Sequence, residues 1–153
     1  MSPSASPPLQ LFTIGFTRKT AEQFFTKLSD AGVRTLIDVR LNNVSQLAGF
    51  SKKDDLQFFL RRICNIDYIH MPHLAPTQDM LDAYKKQKGI WSDYERLFTA
   101  LSTERRIENH TPKATLDHGC LLCSEDKPHQ CHRRLVAEYL KEKWRDVSID
   151  HLV

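Results

Sequence analysis

The segment Val33-Arg34-Thr35-Leu36-Ile37-Asp38-Val39 decides the fold, because it is a short, nearly continuous apolar run rich in β-branched residues. Such runs are typical of strands buried on both faces of a parallel sheet. The preceding segment has apolar residues at helical spacing and ends at Gly32, which predicts a helix leading into the strand. This pairing of a helix with a buried strand is the unit of an α/β fold.

Working outward, the same alternation continues along nearly the whole chain. Strands are predicted at residues 9–15, 33–39, 66–70, 118–123 and 147–152. Helices are predicted between them, the last at residues 131–143. The pattern predicts a single-domain three-layer sandwich, in which a mostly parallel sheet is flanked by helices.

Polar residues at the helix starts give more local predictions. Thr20 and Ser92 each precede a Gln or Glu three positions later, which predicts two capping boxes. Ser51 is predicted to cap the second helix, whose spacing directs Ile63 towards the core.

Composition sets limits on function. The chain has 153 residues, 41% of them hydrophobic, with a net charge of +3 and four cysteines. We expect a disordered tail at residues 1–8 and one domain at residues 9–153. There is no apolar run of membrane-spanning length and no secretory signal, so we expect a cytoplasmic protein whose cysteines are thiols, not structural disulfides. The mildly basic charge permits a nucleic-acid partner without requiring one.

A reactive cluster follows the fourth predicted strand, in GCLLCSEDKPHQCHRR at residues 119–134. Cys131 is expected at the start of the last helix, where the helix dipole stabilises a thiolate. Either Cys131 or Cys123 is then a candidate nucleophile, with His132 or Glu125 moving the proton or Glu125 orienting His132. Taken alone, Cys123 is interpreted as a small buried apolar residue. Arg133 and the helix N-terminus form a candidate anion site.

The same cluster has a competing interpretation as a zinc site, through Cys120, Cys123, Cys131 and His132. Cys120 and Cys123 lie three apart on a strand and so point to opposite faces. The adjacent Cys131 and His132 are awkward to bring onto one ion. We therefore expect no metal and no cofactor. A reversible Cys123–Cys131 disulfide stays open as a third interpretation.

Two other strand ends carry polar groups that should lie near this cluster, since ligands of α/β folds bind at the carboxyl ends of strands. Asp38 and Arg40 are two apart and share one side of the second strand. They predict an ion pair, or an Arg40 that faces a ligand while Asp38 orients it. We expect Arg40→Ala to weaken ligand binding without unfolding the protein. The remaining candidate ligand-binding residues at these ends are Gly15, Thr17, Ser45, Phe50 and Lys52.

Three motifs occur in an order that resembles the domain-of-unknown-function 488 family. They are Thr13-Ile14-Gly15-Phe16, then Asp38-Val39-Arg40 with Ser45 and Phe50-Ser51-Lys52, and then Leu122-Cys123-Ser124-Glu125 through Cys131-His132-Arg133. The resemblance runs from about residue 11 to residue 143 and implies a single α/β domain. It brings no established reaction.

The leading hypothesis is a cleft at the carboxyl edge of the sheet that binds an anionic ligand, a nucleotide or a nucleic-acid phosphate. The sequence leaves open whether a cysteine performs catalysis there. A non-enzymatic nucleic-acid-binding or regulatory module and a thiol redox sensor are the alternatives. The sequence predicts no membrane contact, and it does not indicate an oligomeric state.

Overall fold

The computed structural model of the chain describes residues 7–42, 49–125 and 131–153. In these ranges the chain forms one sheet with every pairing parallel and the strand order β3-β2-β4-β1-β5. The strands are β1 (Leu9–Gly15), β2 (Thr35–Asp38), β3 (Asp67–His70), β4 (Gly119–Cys123) and β5 (Val147–Leu152). The predicted single-domain α/β fold is confirmed, and its sheet is parallel throughout.

The helices connect successive strands. They are α1 (Ala21–Ala31), α2 (Lys53–Phe59), α3 (Gln78–Lys85), α4 (Trp91–Arg105), α5 (Ile107–His110), α6 (Lys113–Leu116) and α7 (His132–Trp144). A π-helical segment, Leu60–Cys64, continues α2. Among the described residues no helix has both the length and the apolar character needed to cross a membrane.

The helix starts agree only in part with the sequence patterns. The predicted capping box at Thr20 is confirmed, because Thr20 and Gln23 exchange side-chain-to-backbone hydrogen bonds of 2.9 and 3.1 Å. The other two capping predictions are wrong. Ser51 ends a short 3₁₀ turn before α2, and Ser92 lies inside α4, which begins one residue earlier.

The prediction for Ile63 is also wrong, since 62% of this side chain is exposed. Ile63 lies in the π-helical segment, where the hydrogen bonds span five residues. The wider turn rotates side chains away from the positions that 3.6-residue spacing assigns. Leu56 in α2 and Leu60, the first residue of the π-helical segment, are both fully buried.

Two apolar cores lie on opposite faces of the sheet. One packs α1 and α2 against Phe12, Leu36 and Cys120, and the other packs α4 and α7 against residues that include Ile37 and Cys123. Each fully buried leucine or phenylalanine stabilises the fold by about 1.5–3 kcal/mol. The three-layer arrangement confirms that Cys120 and Cys123 point to opposite faces.

The strand register brings the predicted strand ends together. Because β4 lies between β1 and β2, Gly15 is paired with Cys123 and Asp38 with Leu122. The carboxyl ends of the three central strands therefore lie side by side, and α7 begins above them.

Candidate active site

A cleft of about 500 Å³ opens at the carboxyl ends of β2 and β4. Its base contains Arg40, Cys123, Cys131 and His132, and one side is formed by residues of α3 and α4. We call this the central cleft. The full set of lining residues is Arg40, Leu41, Asn42, Pro76, Leu81, Tyr84, Lys85, Trp91, Tyr94, Cys123, Ser124, Glu125, Cys131 and His132.

His132, the first residue of α7, connects β2 to β4 through both ring nitrogens. Its Nε2 lies 2.6 Å from the carbonyl oxygen of Val39, and its Nδ1 lies 3.4 Å from Sγ of Cys123. A carbonyl oxygen accepts only, so Nε2 carries a proton and donates it to Val39. In the neutral ring, Nδ1 then presents its lone pair to the thiol, as a base for Cys123 must.

The two cysteines of the site have opposite electrostatic environments. The hydrogen bond from Cys131 lowers the pKa of Cys123 below its ordinary value and outweighs the opposing effect of burial. The charge of Arg133 and the backbone N–H groups of Ser124 and Glu125 lower it further. Burial, followed by the hydrogen bond to Cys123 and then the charge of Cys123, raises the pKa of Cys131 well above its ordinary value. Cys123 is therefore the more acidic thiol of the pair, and Cys131 is the less acidic one.

These environments bear on the interpretation of both cysteines. Cys131 occupies the N-cap position of α7, as expected, but its side chain makes no capping hydrogen bond, and burial raises its pKa instead of the expected lowering. Cys123 is buried in the apolar core at the end of β4, as interpreted from the sequence, and its sulfur also lies 3.4 Å from Nδ1 of His132.

Asp38 and Arg40 form the predicted ion pair, and both are buried. Nε and Nη2 of Arg40 donate to the two carboxylate oxygens at 2.9 and 2.8 Å, and Nη2 also donates to the carbonyl of Ser51 at 2.8 Å. Tyr68 donates its hydroxyl to the same carboxylate at 2.6 Å. Asp38 therefore orients Arg40.

One nitrogen of the Arg40 guanidinium has no hydrogen-bond acceptor among the described residues. This nitrogen, Nη1, is buried, although Arg40 lines the central cleft. A buried charged donor without an acceptor is costly. The guanidinium also packs over the ring of Phe16, with Cζ 5.5 Å from the ring centroid, and an anionic group that reached Nη1 would supply the missing acceptor.

The loop after β4 packs directly on β1 at Gly15. A Cβ atom added to Gly15 would lie 1.5 Å from the carbonyl oxygen of Glu125. Thr17 donates both its backbone N–H, at 3.1 Å, and its hydroxyl to the carbonyl of Ser124. Gly15 and Thr17 therefore support the loop that carries the site, and neither lines the central cleft.

Arg133 lies behind the same loop and is fully buried. Its Nη1 donates to the carbonyl of Glu125, and its Nε donates to Oγ1 of Thr13 at 3.3 Å. It does not line the central cleft. Its position supports a role in holding the loop and stabilising the Cys123 thiolate, in place of the expected direct contact with a ligand.

Glu125 lines the central cleft and pairs with Lys85 at 3.3 Å. The expectation that Glu125 orients His132 is wrong, because the carbonyl of Val39 performs this role. A role for Glu125 as a base remains a prediction.

Two expected ligand-binding residues, Phe50 and Lys52, lie outside the central cleft. Phe50 packs against Phe24 and Phe25 on the α1 side of the sheet. Lys52 is exposed at the start of α2 and does not line the central cleft. Ser45 lies outside the described residues, so its predicted role has no structural counterpart here.

An aromatic wall formed by Tyr84, Trp91 and Tyr94 lines the cleft opposite the strand ends. Trp91 and Tyr94 are stacked with ring centroids 5.0 Å apart, and Tyr84 is 5.3 Å from Tyr94. Sequence reasoning did not single out these three residues as part of the site. Burial, and then the nearby charges of Cys123 and Cys131, raises the pKa of Tyr94, so its hydroxyl stays protonated and can donate.

The thiol–imidazole cluster, defined as Cys123, Cys131 and His132, also has the donor set of a metal site. One ligand atom from each residue lies within 4.8 Å of the other two. The expectation that adjacent Cys131 and His132 are awkward to bring together is therefore wrong. Cys131 contributes from the cap position and His132 from the first turn of α7.

Comparison of the sequence with protein-family models identifies the family to which the chain belongs. The model described as "Domain of unknown function DUF488" matches residues 20–140. The chain belongs to the DUF488 family. The match covers most of the chain, from the cap of α1 to Leu140 within α7, and it includes the whole thiol–imidazole cluster. A search of curated proteins and a search of solved structures each gave no match.

Proposed function

We propose that this DUF488 protein is an enzyme that uses Cys123 as a nucleophile on an anionic, nucleotide-like ligand bound in the central cleft. One observation carries the proposal. The ring of His132 is fixed by Val39 so that Nδ1 faces Sγ of Cys123 at 3.4 Å. A thiol held against an oriented imidazole is the arrangement that activates cysteine nucleophiles.

The proton and electron steps follow from this geometry. Nδ1 of His132 accepts the Cys123 proton when the thiol ionises, and the thiol of Cys131 stabilises the resulting thiolate. The sulfur lone pair forms a bond to the electrophilic atom of the ligand, while the bond to the leaving group breaks and its electron pair departs with that group. The imidazolium then returns its proton to the leaving group.

The anionic character of the ligand is supported by Arg40. Nη1 is the one nitrogen of this guanidinium that has no partner among the described residues. A phosphate or carboxylate oxygen accepts well from such a donor. Asp38 fixes the guanidinium plane, so little ordering is needed when a ligand binds.

The nucleotide-like shape is supported by the aromatic wall. Tyr84 and Trp91 are partly exposed to the cleft, and aromatic side chains stack favourably on the faces of bases. A cavity of about 500 Å³ lies within the range of small-molecule sites. Base and phosphate would then occupy opposite sides of the reactive thiol.

The test is ligand protection of the thiol. Zinc-free protein is treated with iodoacetamide at neutral pH, alone or with adenosine 5′-monophosphate, and the modified cysteines are mapped by mass spectrometry. We expect Cys123 to react first and the nucleotide to slow its reaction at least fivefold. Slow and uniform labelling of all four cysteines contradicts the nucleophile. Fast labelling of Cys123 that the nucleotide leaves unchanged contradicts this ligand class.

A further inference from the structure

The thiol–imidazole cluster has the spacing of a metal site as well as that of a nucleophile and its base. The distance from Cys123 Sγ to His132 Nδ1 is 3.4 Å. In a tetrahedral zinc site, Zn–S and Zn–N bonds separate a sulfur from a nitrogen ligand by about 3.6 Å. The third donor, Cys131, lies within 4.8 Å of both, so side-chain shifts of at most about an ångström would complete the site.

The orientation of His132 adds a second, independent observation. Zinc-bound histidines almost always donate their other ring N–H to a carbonyl or carboxylate, which fixes the ring. Nε2 of His132 already donates its proton to the carbonyl oxygen of Val39. Nδ1, the ligating nitrogen, is therefore directed towards both thiols before any ion binds.

We propose that the thiol–imidazole cluster binds one Zn²⁺ ion, and that bound zinc silences Cys123. The inference rests on the same site as the proposed function and adds a metal that competes with it. Since all three ligands line the central cleft, the fourth coordination position opens onto the cleft, where water or an anionic ligand can occupy it. Within the described ranges no fourth His, Cys, Asp or Glu joins the cluster.

The charges balance without a redox step. Zn²⁺ with two thiolates and one neutral imidazole has no net charge, which suits a buried position. Zinc binding releases the thiol proton of Cys131 into solvent. If the Cys123 thiol is also protonated, its proton is released as well. Thiolate and imidazole donors prefer zinc over magnesium or calcium. A sulfur lone pair shared with zinc is also a weaker nucleophile, and the silencing follows from this.

The experiment combines metal stoichiometry with thiol reactivity. Protein stripped with EDTA is incubated with zinc, desalted and analysed for metal, and Cys123 alkylation by iodoacetamide is followed in parallel. We expect one zinc per chain and alkylation slowed at least tenfold, with magnesium having no effect. Cobalt in place of zinc should give thiolate charge-transfer absorption. Cys120→Ala is the matched control, because Cys120 is buried on the opposite face of the sheet.

Variants assign the ligands. Cys131→Ala and His132→Gln should each weaken zinc binding at least tenfold, while Cys120→Ala binds like the wild type, with folding of all three verified by circular dichroism. Zinc bound equally well by both cluster variants, or none bound by the wild type, overturns the metal proposal. Rapid alkylation of Cys123 with zinc bound overturns the silencing. A third outcome separates the two proposals. If the wild type binds one zinc and Cys131→Ala does not, but Cys123 of the zinc-free protein is alkylated slowly, the metal site is upheld and the proposed nucleophile is contradicted.

Discussion

His132 Nδ1 lies 3.4 Å from Cys123 Sγ, and the two residues come from the first turn of α7 and the last position of β4. The contact requires the carbonyl of Val39, which holds the opposite ring nitrogen at 2.6 Å. Three elements therefore converge to present one imidazole lone pair to one thiol.

The first prediction concerns the pH dependence of Cys123. A lowered pKa means that the thiolate persists to lower pH, so alkylation should be half-maximal at a pH below the ordinary thiol value of 9.0. Cys131→Ala removes the hydrogen bond that contributes most to this effect. Without this hydrogen bond to its charged form, the pKa of Cys123 should rise, and the midpoint should move to higher pH. Stopped-flow alkylation with EDTA present measures both midpoints, and identical midpoints would contradict the role given to Cys131.

The second prediction concerns the buried ion pair. Asp38→Asn or Arg40→Gln leaves the other charge buried without its partner, and each should lower the free energy of unfolding by about 3–5 kcal/mol. This revises the expectation that Arg40→Ala spares the fold. The double variant should lose less than the sum of the two single variants, because the pair is removed as a unit. Urea denaturation measures all three, and strict additivity would show that the pair is not coupled.

The third prediction concerns the packing of the site loop on β1. Gly15→Ala places a Cβ atom 1.5 Å from the carbonyl oxygen of Glu125, so the loop must move. Overpacking of this kind typically costs about 1–3 kcal/mol, and the displaced loop should also slow Cys123 alkylation. Gly49→Ala is the control, because a Cβ at Gly49 meets nothing within 4 Å. Equal stability and equal thiol reactivity of the two variants would contradict the account of this loop.

The fourth prediction concerns the aromatic wall. Trp91→Leu should weaken binding of adenosine 5′-monophosphate roughly tenfold, since stacking of a base on an aromatic ring contributes about 1–3 kcal/mol. Binding of inorganic phosphate should not change. Trp144→Leu serves as the control, because Trp144 stands at the far end of α7 and does not line the cleft. Isothermal titration calorimetry gives the affinities, and equal losses for both ligands would rule out stacking.

Much of the fold could be predicted from local patterns. The buried run around Leu36 and Ile37 and the alternation of strands with helices were sufficient for the parallel sheet. Alternation along β4 was sufficient to separate Cys120 from Cys123. The two-residue spacing of Asp38 and Arg40 was sufficient to predict that they form an ion pair. Each of these depends on residues close in sequence, where backbone geometry alone fixes side-chain direction.

What could not be predicted depends on distant contacts. The hydrogen bond from His132 to Val39 joins residues 93 positions apart and exists because β4 lies beside β2 in the sheet. The aromatic wall combines Tyr84 of α3 with Trp91 and Tyr94 of α4, and sequence spacing within either helix cannot show that they meet. The exposure of Ile63 follows from a π-helical turn whose residue pattern resembles that of an α-helix.

The central claim is that His132 activates Cys123, and the most direct test compares alkylation of Cys123 in zinc-free wild type and His132→Gln. Glutamine can keep a donor to Val39 but has no basic nitrogen. The measurement is the rate of Cys123 modification by iodoacetamide at pH 7, with Cys131 as the internal reference. We predict that wild-type Cys123 reacts at least tenfold faster than Cys131 and at least tenfold faster than Cys123 of the variant. Equal Cys123 rates in the two folded proteins would contradict the claim.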